Sequence, residues 1–172
     1  MRQSRKIVIP NDFSVRPMLL LEKIMESNPN VNFDILMLHG IYPPEGLGNL
    51  LFFSKMEVFK NLENESYVKE YCAFMNKFKS RITAMHSDLI TSTSSFSLNL
   101  FLKSNNIEEV YVPDGLHFKF SGRDSFNLIP LLKKSNIPVR TLLFQVEKDT
   151  ELSSEVAPLF RFDLSQFLIN SI

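Results

Sequence analysis

The sequence predicts an α/β fold, a three-layer sandwich with helices on both faces of a five-stranded, mainly parallel sheet. Five short apolar runs with strand character occur along the chain, and patterns with helical spacing separate them. Strands that alternate with helices form βαβ units, whose crossovers are right-handed. The length of 172 residues and the apolar content of 44% are typical of a single globular domain.

The chain begins with a strand, a polar turn and a helix. Residues 6–9, with the sequence Lys-Ile-Val-Ile, are typical of a buried strand. The turn at residues 10–12 follows, and its Asp12 is expected in the crevice where open α/β sheets bind ligands. A helical pattern then covers residues 15–27, with Ser14 predicted as its N-cap.

The remaining elements follow in the same alternation. Strands are predicted at residues 33–39, 81–91, 108–112 and 140–146. A helix before the third strand is predicted by apolar side chains at i, i+4, i+7, i+8, i+11 and i+15, namely Tyr67, Tyr71, Phe74, Met75, Phe78 and Ile82. Two shorter helices are predicted at residues 96–104 and 128–134.

Two segments exceed a minimal domain of this kind. Residues 41–65 form an insertion in which Phe52, Met56 and Phe59 have the spacing of one face of a helix. Residues 147–172 form a C-terminal extension with more apolar side chains than a free tail tolerates. We therefore divide the chain into an α/β domain, residues 1–146 with the insertion, and an extension that docks on this domain or on a dimer partner.

Composition excludes several classes of function. Nineteen basic and nineteen acidic residues leave no net charge, so a phosphate backbone has no basic face to bind, and we expect no nucleic-acid partner. No apolar run approaches the ~18 residues of a spanning helix, so we expect no membrane segment. Cys72 is the single cysteine, which is typical of a reducing compartment and predicts a cytoplasmic protein. Its position beside the apolar stripe predicts a partly buried, inert thiol.

Four pieces of sequence, in a fixed order, resemble a known family. The turn at residues 10–14, Pro-Asn-Asp-Phe-Ser, follows the first strand, and Leu-His-Gly at 38–40 ends the second. Residues 106–112 resemble the entry to the family's fourth strand, and Ile-Pro-Val at 137–139 resembles the entry to its last. Over residues 6–146 the chain resembles the universal stress protein family, within the larger group of adenine-nucleotide-binding α/β domains.

The resemblance implies a nucleotide site, but the phosphate-binding loop departs from the pattern. In nucleotide-binding members, the position of Asp12 contacts adenosine, and Gly-x2-Gly-x9-Gly-Ser/Thr holds the phosphates at a helix N-terminus. Here six residues separate Gly115 from Gly122, and Ser125 followed by Phe stands where Gly-Ser/Thr is expected. Asp124 adds a negative charge beside the triphosphate position. We predict that this chain does not bind ATP in the usual way and carries no cofactor, with ATP or AMP as the alternative.

Several residues remain candidates for a site in this region. If ligand binding is retained, its residues are Asp12, His39, Gly40, Gly115, Gly122, Arg123 and Ser125. Arg123 with Ser121 and Ser125 could seat a smaller anion. Phe118 and Phe120 could instead fill the vacated crevice from within. The histidines have no short ligand spacing, so we expect no metal site.

The leading functional hypothesis is a universal-stress-protein-like regulatory or interaction module. Because family members often dimerise through their final strand, the resemblance implies a homodimer paired through residues 141–146. The alternative is an adenine-nucleotide-binding stress protein with an altered phosphate loop. A nucleotide hydrolase is a third and weaker class, since the chain has no nucleophile elbow and no local Ser-His-acid motif.

Overall fold

A computed structural model of the protein describes residues 3–46 and 53–145. Within these residues the strands are β1 (Gln3–Pro10), β2 (Val31–Ile41), β3 (Ile82–Ile90), β4 (Glu109–Asp114), β5 (Ser125–Phe126) and β6 (Val139–Leu143). The helices are α1 (Arg16–Ser27), α2 (Lys55–Leu62), α3 (Glu65–Phe78), α4 (Ser95–Ser104) and α5 (Ile129–Leu132).

Five strands form a parallel sheet in the order β3-β2-β1-β4-β6. The short β5 pairs antiparallel with the end of β2, where Gly40 lies opposite Phe126 and Ile41 opposite Ser125. The predicted α/β class with its mainly parallel sheet is confirmed. β5 was not among the predicted strands, because two residues carry no detectable period.

The sheet separates two apolar clusters, one on each face. Ile7 and Ile9 of β1 belong to a cluster covered by α1 and α3, whereas Val8 belongs to a cluster covered by α4 and α5. All three side chains are fully buried. Since successive side chains of a strand point to opposite faces, a central strand needs apolar residues at every position, which explains its unbroken apolar run.

The strand order places a crevice at the carboxyl end of β1. The chain leaves β1 toward β2 and β3 on one side, and later crosses to β4 and β6 on the other. At such a reversal the connections diverge and leave an opening between them. α2 lies at this same edge of the sheet, because Phe59 contacts Phe13 just after β1 and Lys55 forms an ion pair with Asp88 near the end of β3.

Three local predictions are wrong. The N-cap of α1 is Val15, because its backbone oxygen accepts the first hydrogen bond of the helix, from the Leu19 N–H, whereas the Ser14 hydroxyl donates to Asp12 and accepts from the Arg16 N–H. Ile82 belongs to β3, since α3 ends at Phe78. Cys72 is exposed.

The proposed C-terminal extension, residues 147–172, lies outside the described residues, as does Phe52 of the insertion. No helix in the described part of the chain is long and apolar enough to cross a membrane.

Candidate functional site

The segment that joins β4 to α5 crosses the crevice at the carboxyl end of β1. It contains Gly115, Phe118, Phe120, Gly122, Arg123 and Ser125, so the topology brings most of the predicted site residues to one place. Asp12 and His39 reach the same place from the ends of β1 and β2. Their contacts decide what the crevice can hold.

Asp12 binds its own chain through both carboxylate oxygens. Oδ1 accepts hydrogen bonds from the Ser14 hydroxyl at 2.7 Å and the Ser14 backbone N–H at 3.1 Å. Oδ2 accepts from the backbone N–H of Lys119 at 2.8 Å. The residue is only 6% exposed. Asp12 therefore anchors the crossing segment to the turn after β1.

Beside Asp12, Asn11 is the centre of a buried polar network. Its side-chain Nδ2 donates to the Tyr67 hydroxyl at 3.1 Å, and its Oδ1 accepts from the Phe13 backbone N–H at 3.0 Å. Burial raises the pKa of Tyr67 to about 12, so its hydroxyl stays neutral. Phe13 has a φ of 55°, a left-handed conformation that bulky residues rarely adopt. These contacts hold the turn after β1 in one shape.

His39 ties β2 to both the turn and the crossing segment. Its Nδ1 lies 2.8 Å from the backbone oxygen of Asn11, and its Nε2 lies 2.8 Å from the Ser125 hydroxyl. The ring packs between Phe13, in a T-shaped contact at 5.2 Å, and Phe120, at 5.8 Å. The ring is fully enclosed, because the residue is only 1% exposed.

The hydrogen bonds of His39 define its tautomer. A backbone oxygen only accepts, so Nδ1 of His39 carries a proton, and in the neutral ring Nε2 then accepts from the Ser125 hydroxyl. Burial lowers the pKa of His39, against smaller opposing effects from the Asn11 carbonyl and the Asp12 carboxylate. The contact between Ser125 and neutral His39 has the reach of a nucleophile and base pair, but here it closes the crossing segment onto β2.

The three glycines of the predicted site lie against this chain's own atoms. A Cβ on Gly40 would lie 2.5 Å from the Phe126 ring, and one on Gly122 would lie 2.3 Å from Ser125 Oγ. Gly115 has a φ of 82°, and its Cβ would meet the backbone oxygen of Phe144 at 2.3 Å. Close contacts within the chain therefore account for all three glycines without an anion.

Arg123 and Ser121 are both exposed on the crossing segment. The Ser125 hydroxyl, the third member of the predicted anion cluster, is bonded to His39 instead. His86 and His117 are also exposed. Within residues 3–46 and 53–145 no group of three or more His, Cys, Asp or Glu side chains could hold a metal ion.

Phe118 and Phe120 occupy the crevice region, as one alternative anticipated. Phe118 is half-buried and packs against the cluster beneath α1 and α3. Phe120 contacts His39, and the two phenylalanine rings stack with their centroids 6.2 Å apart. The crossing segment therefore contributes apolar side chains to the crevice.

The sequence predicts Asp12 and His39 as site residues but not the residues whose contacts position them. The sequence pattern predicts Asn11 as part of a turn and Tyr67 as one position in an apolar stripe. The available signals were the polar side chain of Asn11 in the turn and the hydroxyl of Tyr67 within an otherwise apolar stripe. The two residues are 56 positions apart, so no local pattern predicts that they form a hydrogen bond.

No family model matches the sequence, and no curated protein matches it. Comparison with solved structures does find similar folds. The hypothetical protein MJ0577 matches with a TM-score of 0.50 and 17% identity, over 81% of this chain and 96% of that chain. The chain therefore shares the fold of that protein, an α/β domain with a mainly parallel sheet.

Two further matches are universal stress proteins with bound nucleotides. The Archaeoglobus fulgidus protein in complex with dAMP matches with a TM-score of 0.45 and 13% identity, over 82% of this chain and 98% of that one. The Arabidopsis thaliana protein with AMP bound matches with a TM-score of 0.42 and 18% identity, over 88% of this chain and 97% of that one.

Proposed function

We propose that this protein is a universal-stress-protein-like regulatory or interaction module whose own chain closes the usual nucleotide crevice. The observation that supports this most directly is the hydrogen bond from the Lys119 N–H to Asp12. In the nucleotide-binding members that the sequence resembles, this carboxylate position contacts adenosine. Here both of its oxygens already have partners within the chain.

The groups that would bind phosphate are engaged in the same way. The Ser125 backbone N–H donates to the Gly122 oxygen at 3.0 Å, and the Ser125 hydroxyl is bonded to His39. A phosphate needs several converging backbone N–H groups that have no other acceptor. A nucleotide in the family's pose would have to break these bonds and move Phe120 away from His39.

The test is isothermal titration with ATP and with AMP, each in the presence of magnesium. We expect no heat from the wild type at millimolar nucleotide. Micromolar binding to the wild type would contradict the proposal and favour the altered-loop alternative. Magnesium-dependent turnover of ATP would instead favour the hydrolase class.

Two variants give this titration a structural control. Phe120→Ala removes the ring over His39 and leaves the backbone anchor on Asp12 intact, whereas Lys119→Ala changes an exposed side chain of the same segment. If the Phe120 ring closes the crevice, weak nucleotide binding should be detected in Phe120→Ala but not in the wild type or in Lys119→Ala. Binding by the wild type and both variants alike would show that closure has no effect.

We further propose a homodimer that pairs through β6, a strand at the edge of the described sheet. Val110 N–H donates to the Pro138 oxygen and Phe144 N–H donates to the Asp114 oxygen. Because hydrogen-bonding groups alternate along a strand, the N–H groups of Thr141 and Leu143 point away from β4. The Leu143 side chain is 69% exposed, and a second strand on this edge would take the place of the Lys23 ammonium at the Leu143 backbone oxygen.

Sedimentation equilibrium tests the dimer. Leu143→Lys places a charge on the proposed interface and is expected to give a monomer. Thr83→Lys is the matched control, because Thr83 is exposed on β3 at the opposite edge of the sheet. A wild-type monomer at micromolar concentration, or a dimer unaffected by Leu143→Lys, would contradict pairing through β6.

A further inference from the structure

A groove of about 1040 Å³ lies between α2 and α3. Its apolar lining comes from Met56, Phe59 and Val68, and Lys60, Glu65 and Lys69 are among its charged residues. Met56 is 79% exposed and Val68 is 44% exposed. Such residues are expected to be covered when an apolar segment is available nearby.

We propose that the C-terminal segment of the same chain, residues 156–169, docks in this groove. The segment contains Val156, Leu159, Phe160, Phe162, Leu164, Phe167, Leu168 and Ile169. Four of them, at positions 160, 164, 167 and 168, have the i, i+4, i+7, i+8 spacing of one helical face. Arg161 and Asp163 balance in charge, which suits a groove with both signs of charge at its rim.

The point where the described chain ends is on the correct face of the sheet. Leu142 and Phe144 pack against the cluster that α1 and α3 cover, and Phe59 of α2 packs against the same cluster. The Lys23 ammonium of α1 lies 4.4 Å from the Phe144 ring centroid. The Leu142 and Phe144 side chains therefore lie on the same face of the sheet as α2.

The carboxyl end of β6 also lies at the edge of the sheet where α2 is located. All five long strands are parallel, so β6 ends at the edge where α2 contacts Phe13 and Asp88. Three strand spacings separate β6 from β2, roughly 14 Å. A helix layer adds about 10 Å.

The linker is long enough for this path. Residues 146–155 precede the apolar segment, and ten extended residues reach roughly 33 Å. A tethered segment also has an effective concentration in the millimolar range, which favours the same chain over an external partner of equal affinity. The linker is therefore long enough for docking in cis.

The single cysteine provides a probe for this contact in the full-length protein. Cys72 is exposed on α3, one helical turn after Val68. A nitroxide on Cys72 broadens the NMR signals of nearby amides. We expect loss of the amide signals of residues 156–169 in the labelled wild type, and their return when the nitroxide is reduced.

Two variants test whether the groove is the docking surface. Val68→Asp places a charge among its apolar lining and should restore the signals of residues 156–169. It should also raise their hydrogen exchange by about tenfold, as expected from losing a valine's burial. Phe96→Asp is the matched control, because Phe96 is 78% exposed on α4 at the opposite face of the sheet. It should change neither measurement.

Isotope mixing separates the two chains of a dimer. Nitroxide-labelled protein without 15N is mixed with 15N protein that carries no nitroxide, so only contacts between chains broaden signals. Docking in cis predicts no broadening of residues 156–169 in this sample. Broadening there would overturn the cis proposal in favour of a swapped segment. Two results would contradict docking in this groove. One is sharp amide signals of residues 156–169 in wild-type protein that carries both the nitroxide and 15N. The other is broadening of these signals that persists in Val68→Asp.

Discussion

Replacing Asp12 by asparagine should detach the crossing segment from the turn after β1. The substitution keeps the side chain's volume but leaves one oxygen where there were two acceptors. If that oxygen continues to accept from Ser14, the amide nitrogen faces the Lys119 N–H, and two donors then oppose each other. Hydrogen bonds to a charged group contribute about 1.5–3 kcal/mol each, and Asp12 makes three.

We expect a loss of about 2 kcal/mol in the free energy of unfolding, because the buried position lets little water replace the lost partner. With a typical urea dependence of about 2 kcal/mol per molar, the midpoint should fall by about 1 M. Hydrogen exchange of the Lys119 amide should rise by about 30-fold.

Asp114→Asn is the matched control, because Asp114 is an exposed carboxylate at the end of β4. It should change the free energy of unfolding by less than about 0.5 kcal/mol. If Asp12→Asn behaves like this control in both urea unfolding and Lys119 exchange, Asp12 does not anchor the segment.

Two further substitutions test other parts of the site. Gly115→Ala should cost about 2 kcal/mol or more in urea unfolding, because it combines a positive φ with a Cβ placed 2.3 Å from the Phe144 oxygen. Gly46→Ala shares the positive φ but meets no atom within 4 Å, so an equal loss in both variants would refute the close contact. Burial lowers the pKa of His39, so the unfolded chain binds this proton more readily and stability should decline as pH falls below about 6.5. His39→Gln should remove this part of the pH dependence of urea unfolding, and an unchanged slope would contradict it.

The fold could be predicted because its signals are local. The apolar run Ile7, Val8 and Ile9 predicts a central strand, and the spacing of the apolar residues from Tyr67 to Phe78 predicts a helix. Where prediction failed, one local signal competed with another. Ser14 has the side chain of a helix cap, but the first hydrogen bond of α1 goes to the backbone oxygen of Val15, one residue later. Ile82 fits the spacing of α3, but it follows the end of that helix and pairs with Phe33 in the sheet.

The site could be predicted only in part. The chain order places Asp12 and His39 at the ends of adjacent strands, so their proximity follows from the fold class. Their partners do not follow from it. Lys119 lies 107 positions from Asp12, and Ser125 lies 86 positions from His39. No periodicity links positions so far apart.

Inspection of the amino-acid sequence is enough to predict the alternation of strands and helices, the parallel sheet and the departure from the glycine pattern of a phosphate-binding loop. Those properties depend on residue type and short-range spacing. The folded chain is needed to see that the glycines lie against Phe126, Ser125 and Phe144, and that Asp12 accepts from a backbone N–H of its own chain. These contacts are not predictable because a buried polar group must have a hydrogen-bond partner, while the sequence does not say which distant segment supplies it.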